Sequence, residues 1–326
     1  MRTRKLGPFE VSALGLGCMS MSQAYGTPDL QESERALHRA LDVGYTFLDT
    51  ASIYGVGHNE KLIGRVLREK RASFVLASKC GITVEANGGR GVDGTPASIR
   101  RTCEQSLVNL QTDVIDLYYL HRRDHSVPIE ESVGALAGLV AEGKIRTIGL
   151  SEVSSTTLRR ACATHPITAV QSEYSLWTRE PEHRVLATCT ELGVAFVPFS
   201  PLGRAFLCGT VRSPDDLEAS DMRRAMPRFV GDAFQRNLAL LDDFGSLARQ
   251  NGCTMAQLAL AWVLAQGESL IPIPGTKHVA YVEENAAAAD LDVSEEDIRR
   301  AGALINAETV SGDRYAPVQR ISLDPE

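Results

Sequence analysis

Short apolar runs alternate along the chain with longer segments in which apolar residues recur at helical spacing. Eight such runs occur, most of them followed by a polar residue, glycine or proline: residues 14–17, 46–48, 74–77, 115–120, 145–150, 168–170, 194–198 and 270–273. Most do not alternate strictly between apolar and polar residues, which is typical of parallel strands buried on both faces. Between them, residues such as Leu62, Ile63 and Val66 share one helical face. The pattern therefore predicts eight β/α units in series.

Eight β/α units are best accommodated in a closed barrel. We predict an α/β fold, a (β/α)8 TIM barrel built from residues 1–326 as a single domain, with residues 4–11 as an N-terminal β-hairpin. The alternative is an open doubly wound sheet, which is disfavoured because no GxGxxG motif follows the first apolar run.

Three segments are longer than ordinary connections between a strand and a helix: residues 81–94, residues 202–231 and the tail after Ile305. We expect them to form long loops over the C-terminal face of the barrel, where such loops often cover a ligand. Residues 202–231 mix arginines with acidic residues, which favours a solvated helical insertion.

Charge and cysteine content narrow the class of protein. The 34 Lys and Arg residues against 41 Asp and Glu residues give a net charge of −7, which argues against nucleic-acid binding. The seven cysteines contain no CxxC pair, which is typical of reduced thiols and predicts no metal site. No apolar stretch reaches the roughly 18 residues that span a bilayer, and the start of the chain lacks the apolar core of a signal peptide. We expect a cytoplasmic protein without nucleic-acid or membrane partners; the oligomeric state stays open.

Several apolar runs end at a side chain that can take part in chemistry. The carboxyl ends of barrel strands face one common mouth, and Asp49, Lys79 and His121 each end a run, with Tyr54 five residues beyond Asp49. A phenol has a pKa of about 10, which a neighbouring ammonium lowers, while a carboxylate keeps that ammonium charged. Together these side chains favour a reaction that builds negative charge on an oxygen and then protonates it, as carbonyl reduction requires.

A phosphate site is predicted near the end of the eighth unit. Gly275, Thr276 and Lys277 precede a helical stretch at residues 279–288, and the free N–H groups of a helix N-terminus favour an anion. Loops after the seventh and eighth strands commonly bind phosphate in barrels. Lys277, with His278 beside it, can pair with a phosphate group at this position.

Five segments in order resemble the signature motifs of the aldo-keto reductases: residues 44–64, 116–121, 149–151, 199–203 and 272–285. The resemblance covers about residues 3 to 310 and is closest to the bacterial, fungal and plant branch sometimes called the thirteenth family. It implies an NADPH-dependent oxidoreductase that reduces a small aldehyde or ketone to an alcohol by hydride transfer from the nicotinamide.

The resemblance also assigns roles by position. It implies a catalytic tetrad of Asp49, Tyr54, Lys79 and His121, in which Tyr54 is the general acid, Lys79 lowers the phenol pKa and His121 orients the carbonyl. The other cofactor contacts that it implies are Gly17, Met19, Ser151, Glu152, Gln171, Phe199, Ser200, Pro201, Leu202, Gly203, Arg204, Pro274, Gly275, Thr276, Lys277, Tyr281, Glu284 and Asn285. Predicted residues at the rim of the substrate pocket are Tyr25, Arg122, Arg123 and Trp177.

Within this assignment, Ser151 and Gln171 would hold the nicotinamide carboxamide and Arg204 the pyrophosphate. Lys277 would pair with a ribose 2′-phosphate, which favours NADPH over NADH. Glu152 departs from the family pattern, since many members have Asn there. An ionised Glu can only accept hydrogen bonds, so Glu152 would have to face the carboxamide NH₂ or turn away. Phe199 replaces the more common Tyr or Trp, and Tyr281 replaces an Arg or Gln.

Two other functions remain as alternatives. One is a nucleotide-sensing subunit with little turnover, resembling the potassium-channel beta subunits, which share this fold and cofactor. The other is a barrel lyase or aldolase with Lys79 in a Schiff base. That role needs an uncharged lysine, whereas Asp49 is predicted to keep Lys79 protonated. The sequence leaves the natural substrate and the direction of the reaction open.

Overall fold

The computed structural model describes residues 1–85, 88–316, 323–324 and 326. Its strands in chain order are β1 (Thr3–Leu6), β2 (Phe9–Ser12), β3 (Leu16–Gly17), β4 (Phe47–Asp49), β5 (Val75–Cys80), β6 (Ile82–Val84), β7 (Arg90–Val92), β8 (Ile115–Leu120), β9 (Ile145–Ser151), β10 (Ala169–Glu173) and β11 (Ala195–Phe199). Its helices are α1 (Leu30–Asp42), α2 (His58–Leu67), α3 (Pro96–Leu110), α4 (Ile129–Ala141), α5 (Ser155–Thr164), α6 (Val185–Leu192), α7 (Gly231–Gln250), α8 (Met255–Ala265), α9 (Val279–Ala287) and α10 (Glu295–Leu304). None of these described helices is long and apolar enough to cross a membrane.

Seven of the described strands form one parallel sheet in the order β11-β10-β9-β8-β5-β4-β3. Residues 270–275, which we call the closing segment, run between the two edge strands and hydrogen-bond to both. The Ile271 N–H donates to the Phe196 carbonyl at 2.9 Å, and the Gly15 N–H donates to the Pro272 carbonyl at 3.0 Å. These contacts close the barrel, so each of the eight predicted runs takes a place in it. The predicted (β/α)8 barrel is confirmed.

The N-terminal end of the barrel is closed by the antiparallel hairpin of β1 and β2, as predicted. Leu6 and Val11 of the hairpin pack against interior side chains such as Phe47, Leu117 and Val197. Each of these fully buried apolar side chains contributes on the order of 1.5–3 kcal/mol to the free energy of unfolding. This end of the barrel is apolar, and the buried charges described below lie at the opposite end.

The long loops differ in part from the prediction. Residues 81–94 contain a second hairpin, β6 paired with β7, where the sequence predicted only a glycine-rich loop. Residues 202–231 form short 3-10 turns rather than the predicted solvated helix. Asp221 and Arg223 in this segment are buried, because the Arg223 guanidinium pairs with the Asp221 carboxylate at 2.7 Å.

Helices α1 and α9 pack side by side next to β3 and the closing segment. Helix α1 is capped by Asp29, whose carboxylate accepts the Glu32 N–H at 2.9 Å. Helix α9 begins after His278, whose side chain makes no capping hydrogen bond. The first N–H groups of α9 are therefore open to acceptors from elsewhere in the chain.

Candidate active site

Asp49 and Lys79 meet at the centre of the barrel mouth, at the carboxyl ends of β4 and β5. The Lys79 Nζ donates to Asp49 Oδ1 at 2.5 Å and to the Thr50 carbonyl at 2.7 Å. The Lys79 side chain is 0% exposed and the Asp49 side chain is 3% exposed. Burial acts to lower the pKa of Lys79, but the Asp49 carboxylate raises it above its ordinary value. The amine is therefore charged at neutral pH.

Tyr54 and His121 adjoin this ion pair. The Lys79 ammonium lies 5.1 Å from the centre of the Tyr54 ring, close enough for its charge to act on the phenol. The His121 ring meets the Tyr54 ring edge to face, with ring centres 5.9 Å apart. The structure thus brings together the four residues predicted as a tetrad.

Burial dominates the acidity of Tyr54. It raises the pKa of the phenol above its ordinary value, although Lys79 acts in the opposite direction. The expectation of a phenol more acidic than free tyrosine is thereby corrected: Lys79 offsets only part of the effect of burial. Burial, followed by the Lys79 charge, holds the pKa of His121 well below its ordinary value. At neutral pH the phenol is therefore protonated and the imidazole is neutral.

Gln171 also contacts the ion pair, from β10 on the other side of the barrel. Its Nε2 donates to Asp49 Oδ2 at 2.8 Å, and its side chain is buried. The sequence assigned Gln171 only to the cofactor, and no local pattern indicated a bond to a residue 122 positions away. We refer to Asp49, Tyr54, Lys79, His121 and Gln171 as the central cluster.

A second group of buried charged side chains lies at the edge of the mouth. The Arg314 guanidinium donates to both Glu152 carboxylate oxygens, at 2.5 and 3.0 Å, and its Nε donates to Glu173 at 3.0 Å. Arg204 donates to Glu173 at 2.6 Å and to the Tyr315 hydroxyl at 3.0 Å. Burial acts to raise the pKa of Glu173, but Arg204 and then Arg314 lower it to about 2. We refer to Glu152, Glu173, Arg204, Arg314 and Tyr315 as the rim network.

The rim network engages two side chains predicted to contact the cofactor. Glu152 has a left-handed backbone (φ 54°), and its carboxylate accepts hydrogen bonds from Arg314 and from the Glu173 N–H, the latter at 2.8 Å. Arg204, predicted to bind pyrophosphate, instead forms a buried ion pair with Glu173. The sequence did not single out Arg314 or Tyr315, because both belong to the tail and reach Glu152 and Glu173 only through the tertiary fold.

The segments predicted to bind phosphate lie along the seam where the barrel closes. Gly17 and Gly275 face each other, and a Cβ at Gly17 would lie only 3.0 Å from the Ile273 carbonyl oxygen. The Lys277 Nζ donates to the carbonyl oxygens of Tyr25 and Thr27, at 3.1 and 2.7 Å. The absence of side chains at the two glycines allows the backbone segments to approach each other at this edge of the mouth.

The other predicted cofactor residues are distributed around the barrel. Residues 200–203 form a tight turn that contains Pro201 and Leu202. The Gly203 N–H donates to the Ser200 carbonyl and closes the turn. The Phe199 ring lies 5.8 Å from the Arg314 guanidinium. The remaining predicted positions lie beside β3, at the end of β9, in the closing segment, or in α9: Met19, Ser151, Pro274, Thr276, Tyr281, Glu284 and Asn285.

The predicted residues of the substrate rim divide between the mouth and the core. Arg122 donates to the Ser151 hydroxyl at 3.3 Å, Arg123 to Asp324 at 2.7 Å, and Tyr25 lies 5.1 Å from the Arg223 guanidinium. Trp177 is buried instead and stacks on Phe206 at 4.1 Å. Its predicted place at an exposed rim is corrected, because aromatic rings from residues 202–231 cover it.

The fold is a closed barrel whose mouth carries a cluster of polar and ionisable side chains, at the end where barrel enzymes have their active sites. The sequence profile of the Aldo/keto reductase family matches residues 13–306, and the chain belongs to that family. It is 44% identical over 316 residues to probable aldo-keto reductase 1 from Glycine max, covering 95% of this chain and 91% of that one. It is 41% identical over 321 residues to the aldo-keto reductase yakc of Schizosaccharomyces pombe, whose name specifies NADP(+), covering 97% and 94%.

Solved structures agree with this assignment. A glycerol dehydrogenase from Gluconobacter oxydans superposes with a TM-score of 0.86 at 29% identity, covering 97% of this chain and 98% of that one. An aldo-keto reductase from Klebsiella pneumoniae in complex with NADPH gives a TM-score of 0.75 at 29% identity, covering 97% and 98%. The family resemblance predicted from the sequence is confirmed.

Proposed function

We propose that this protein is an NADPH-dependent reductase that converts aldehydes or ketones to alcohols, with Tyr54 as the general acid and residues 1–326 acting as one barrel domain. The observation that carries the proposal is the buried pair of Lys79 and Asp49 beside a protonated Tyr54, whose ring centre lies 5.1 Å from the Lys79 ammonium. The relative named for NADP(+) and the neighbour solved with NADPH support the choice of cofactor.

The residues at the mouth fit this cofactor by their chemistry. The N-terminus of α9 and the Lys277 ammonium suit anionic phosphates. The Phe199 ring offers an aromatic face for a planar heterocycle. Ser151 at the end of β9 and Gln171 within β10 offer polar groups for a carboxamide. Because Glu152 is held by Arg314, we assign it to the protein scaffold rather than to the carboxamide.

Bound NADPH would supply a hydride to the carbonyl carbon of the substrate. As negative charge develops on the carbonyl oxygen, the Tyr54 hydroxyl donates its proton to that atom, and the C=O group becomes CH–OH. The Lys79 ammonium stabilises the phenolate left behind, and Asp49 keeps that ammonium charged and oriented. Neutral His121 orients the carbonyl by donating a hydrogen bond to it. In the oxidation of an alcohol, the Tyr54 phenolate would accept the proton.

The proposal is tested by mixing the protein with NADPH and 4-nitrobenzaldehyde and following nicotinamide absorbance. We expect substrate-dependent loss of NADPH and formation of the alcohol, and a panel of aldehydes and ketones run with NADPH and NADH then defines the substrate class. Tight binding of NADPH without turnover on the whole panel would contradict the proposal and favour the nucleotide-sensing alternative. Borohydride trapping of a carbonyl compound on Lys79 would favour a Schiff-base enzyme, which the charged state of Lys79 opposes.

A further inference from the structure

The first N–H of helix α9 is already bonded to a carboxylate from another helix. The Val279 N–H donates to Glu32 Oε1 at 3.0 Å, although Glu32 belongs to α1 and lies 247 positions away. The other carboxylate oxygen accepts from Arg35 at 2.5 Å. Glu32 thus occupies the place where a helix N-terminus would otherwise bind a ligand anion.

Arg35, on the same helix, pairs with Glu32 and offsets part of its charge, whereas the basic groups beside the start of α9 do not pair closely with it. The Lys277 Nζ donates to the backbone carbonyls of Tyr25 and Thr27, and the His278 ring nitrogen lies 4.0 Å from Glu32 Oε1. The hydrogen bond from Val279 lowers the pKa of Glu32, so the carboxylate is ionised at neutral pH. A phosphate that approaches Lys277 and the start of α9 therefore meets a fixed negative charge.

We propose that Glu32 is a specificity-determining residue that narrows the preference of this protein for NADPH over NADH. Its carboxylate competes with a ribose 2′-phosphate for the α9 N-terminus and repels it. The same carboxylate accepts a hydrogen bond from a free ribose 2′-hydroxyl, the contact by which acidic residues recognise NAD in other nucleotide sites. This inference rests on the proposed function, because it needs the adenosine half of the cofactor to bind at α9.

The variant that tests the proposal is Glu32→Gln. The glutamine retains an oxygen that can accept the Val279 N–H, so the contact between α1 and α9 is preserved while the charge is removed. The matched control is Glu283→Gln. Glu283 lies in α9 and pairs with Arg39 of α1 at 2.6 Å, so the control removes an equal charge at the same helix pair but away from the helix N-terminus.

Calorimetry at fixed ionic strength would measure the binding of adenosine 2′,5′-bisphosphate and adenosine 5′-monophosphate, which differ only in the 2′-phosphate, and of NADPH and NADH. Removing one unit charge at about 4 Å from a phosphate through water predicts about five- to tenfold tighter binding of the two 2′-phosphorylated ligands to Glu32→Gln. The other two ligands should bind with unchanged or weaker affinity. Glu283→Gln should behave like the unmodified protein.

The inference is overturned if Glu32→Gln leaves the ratio of the affinities for the two adenosine nucleotides unchanged, or if Glu283→Gln shifts that ratio equally. In either case nucleotide binding by the unmodified protein would leave the proposed function standing. Binding of none of the four ligands by the unmodified protein would overturn the proposed function together with this inference. Because these measurements need no turnover, a failure of the Tyr54 mechanism alone would not affect them.

Discussion

The central cluster and the rim network both place ion pairs inside the mouth of the barrel, but the chain assembles them differently. Asp49, Lys79 and Gln171 lie within or at the ends of neighbouring or facing strands. The rim network joins strand ends to the turn after β11 and to the tail. The first group is therefore positioned by the sheet, and the second by segments that must dock onto it.

Strand register explains the difference. Asp49 of β4 pairs with Ala77 of β5, and Lys79 lies two residues further along β5. Because strand side chains alternate between faces, Ala77 and Lys79 point to the same side, towards Asp49. The backbone ladder alone thus brings the ammonium and the carboxylate together. No such ladder positions Arg314, so its contacts depend on how the tail folds back. We accordingly expect damage to the central cluster to abolish chemistry and damage to the rim network mainly to lower stability.

The largest effect is expected for Lys79→Met. The change removes the ammonium that stabilises the Tyr54 phenolate and leaves the Asp49 carboxylate buried without its partner. We predict a fall in kcat/KM of at least about 100-fold and a loss of about 3–5 kcal/mol in the free energy of unfolding. Turnover of 4-nitrobenzaldehyde and urea denaturation measure the two effects.

Lys144→Met is the matched control for this change. Lys144 pairs with Glu104 and Glu142 near the surface, at 2.7 and 3.0 Å. Its loss should cost less than about 1 kcal/mol and leave turnover unchanged. Unchanged turnover in Lys79→Met would contradict the expectation that damage to the central cluster abolishes chemistry, which is what distinguishes it from the rim network.

A smaller effect on turnover is expected for Arg314→Met. The variant deprives Glu152 of its buried cation, while Glu173 retains Arg204. We predict a loss of about 3 kcal/mol in the free energy of unfolding with a change in kcat/KM of less than about tenfold. Arg300→Met, which removes an exposed pair with Asp297, is the control. If Arg314→Met unfolds like the unmodified protein but loses turnover as completely as Lys79→Met, the rim network belongs to the catalytic machinery.

The acid dependence of stability should give the smallest effect. The folded-state pKa of Glu173, about 2, lies below the ordinary 4.5, so its ion pairs stabilise the fold above the unfolded pKa. That stability is lost as pH falls from about 4.5 towards 2. In Arg314→Met the free energy of unfolding lost over this pH range should be smaller by about 1–2 kcal/mol. Urea unfolding at several pH values measures it. An identical acid dependence in both proteins would show that Arg314 does not hold these carboxylates ionised.

The difference between side chains positioned by the sheet and side chains positioned by docked segments also decides what the sequence could predict. Asp49, Lys79 and His121 were identified because each follows a run of apolar strand residues, and the barrel brings such positions to one mouth. Tyr54 became a candidate through its spacing from Asp49 and the family motif. The closed barrel followed from the repeated apolar runs, whereas the pairing of β6 with β7 within a glycine-rich segment did not.

Contacts made by the tail and the long loops had no local signal. Arg314 reaches Glu152 across 162 positions, and no periodicity in the sequence reports such a contact. Trp177 was predicted at the rim of the substrate pocket, yet Phe206 and Phe229 from residues 202–231 pack against it. The bond between Glu32 and Val279 could not be predicted either, since it requires α1 and α9 to be adjacent.

The central claim is that the Tyr54 hydroxyl protonates the carbonyl oxygen as hydride reaches the carbonyl carbon. The most direct measurement is the rate of single-turnover hydride transfer in Tyr54→Phe, with NADPH affinity determined in parallel. The control is Tyr118→Phe, because the Tyr118 ring packs in the outer core away from the mouth. We predict that Tyr54→Phe binds NADPH within about twofold of the unmodified protein but transfers hydride at least about 100-fold more slowly. Tyr118→Phe should match the unmodified protein in both NADPH affinity and the rate of hydride transfer. Hydride transfer at the unmodified rate in Tyr54→Phe would contradict the account.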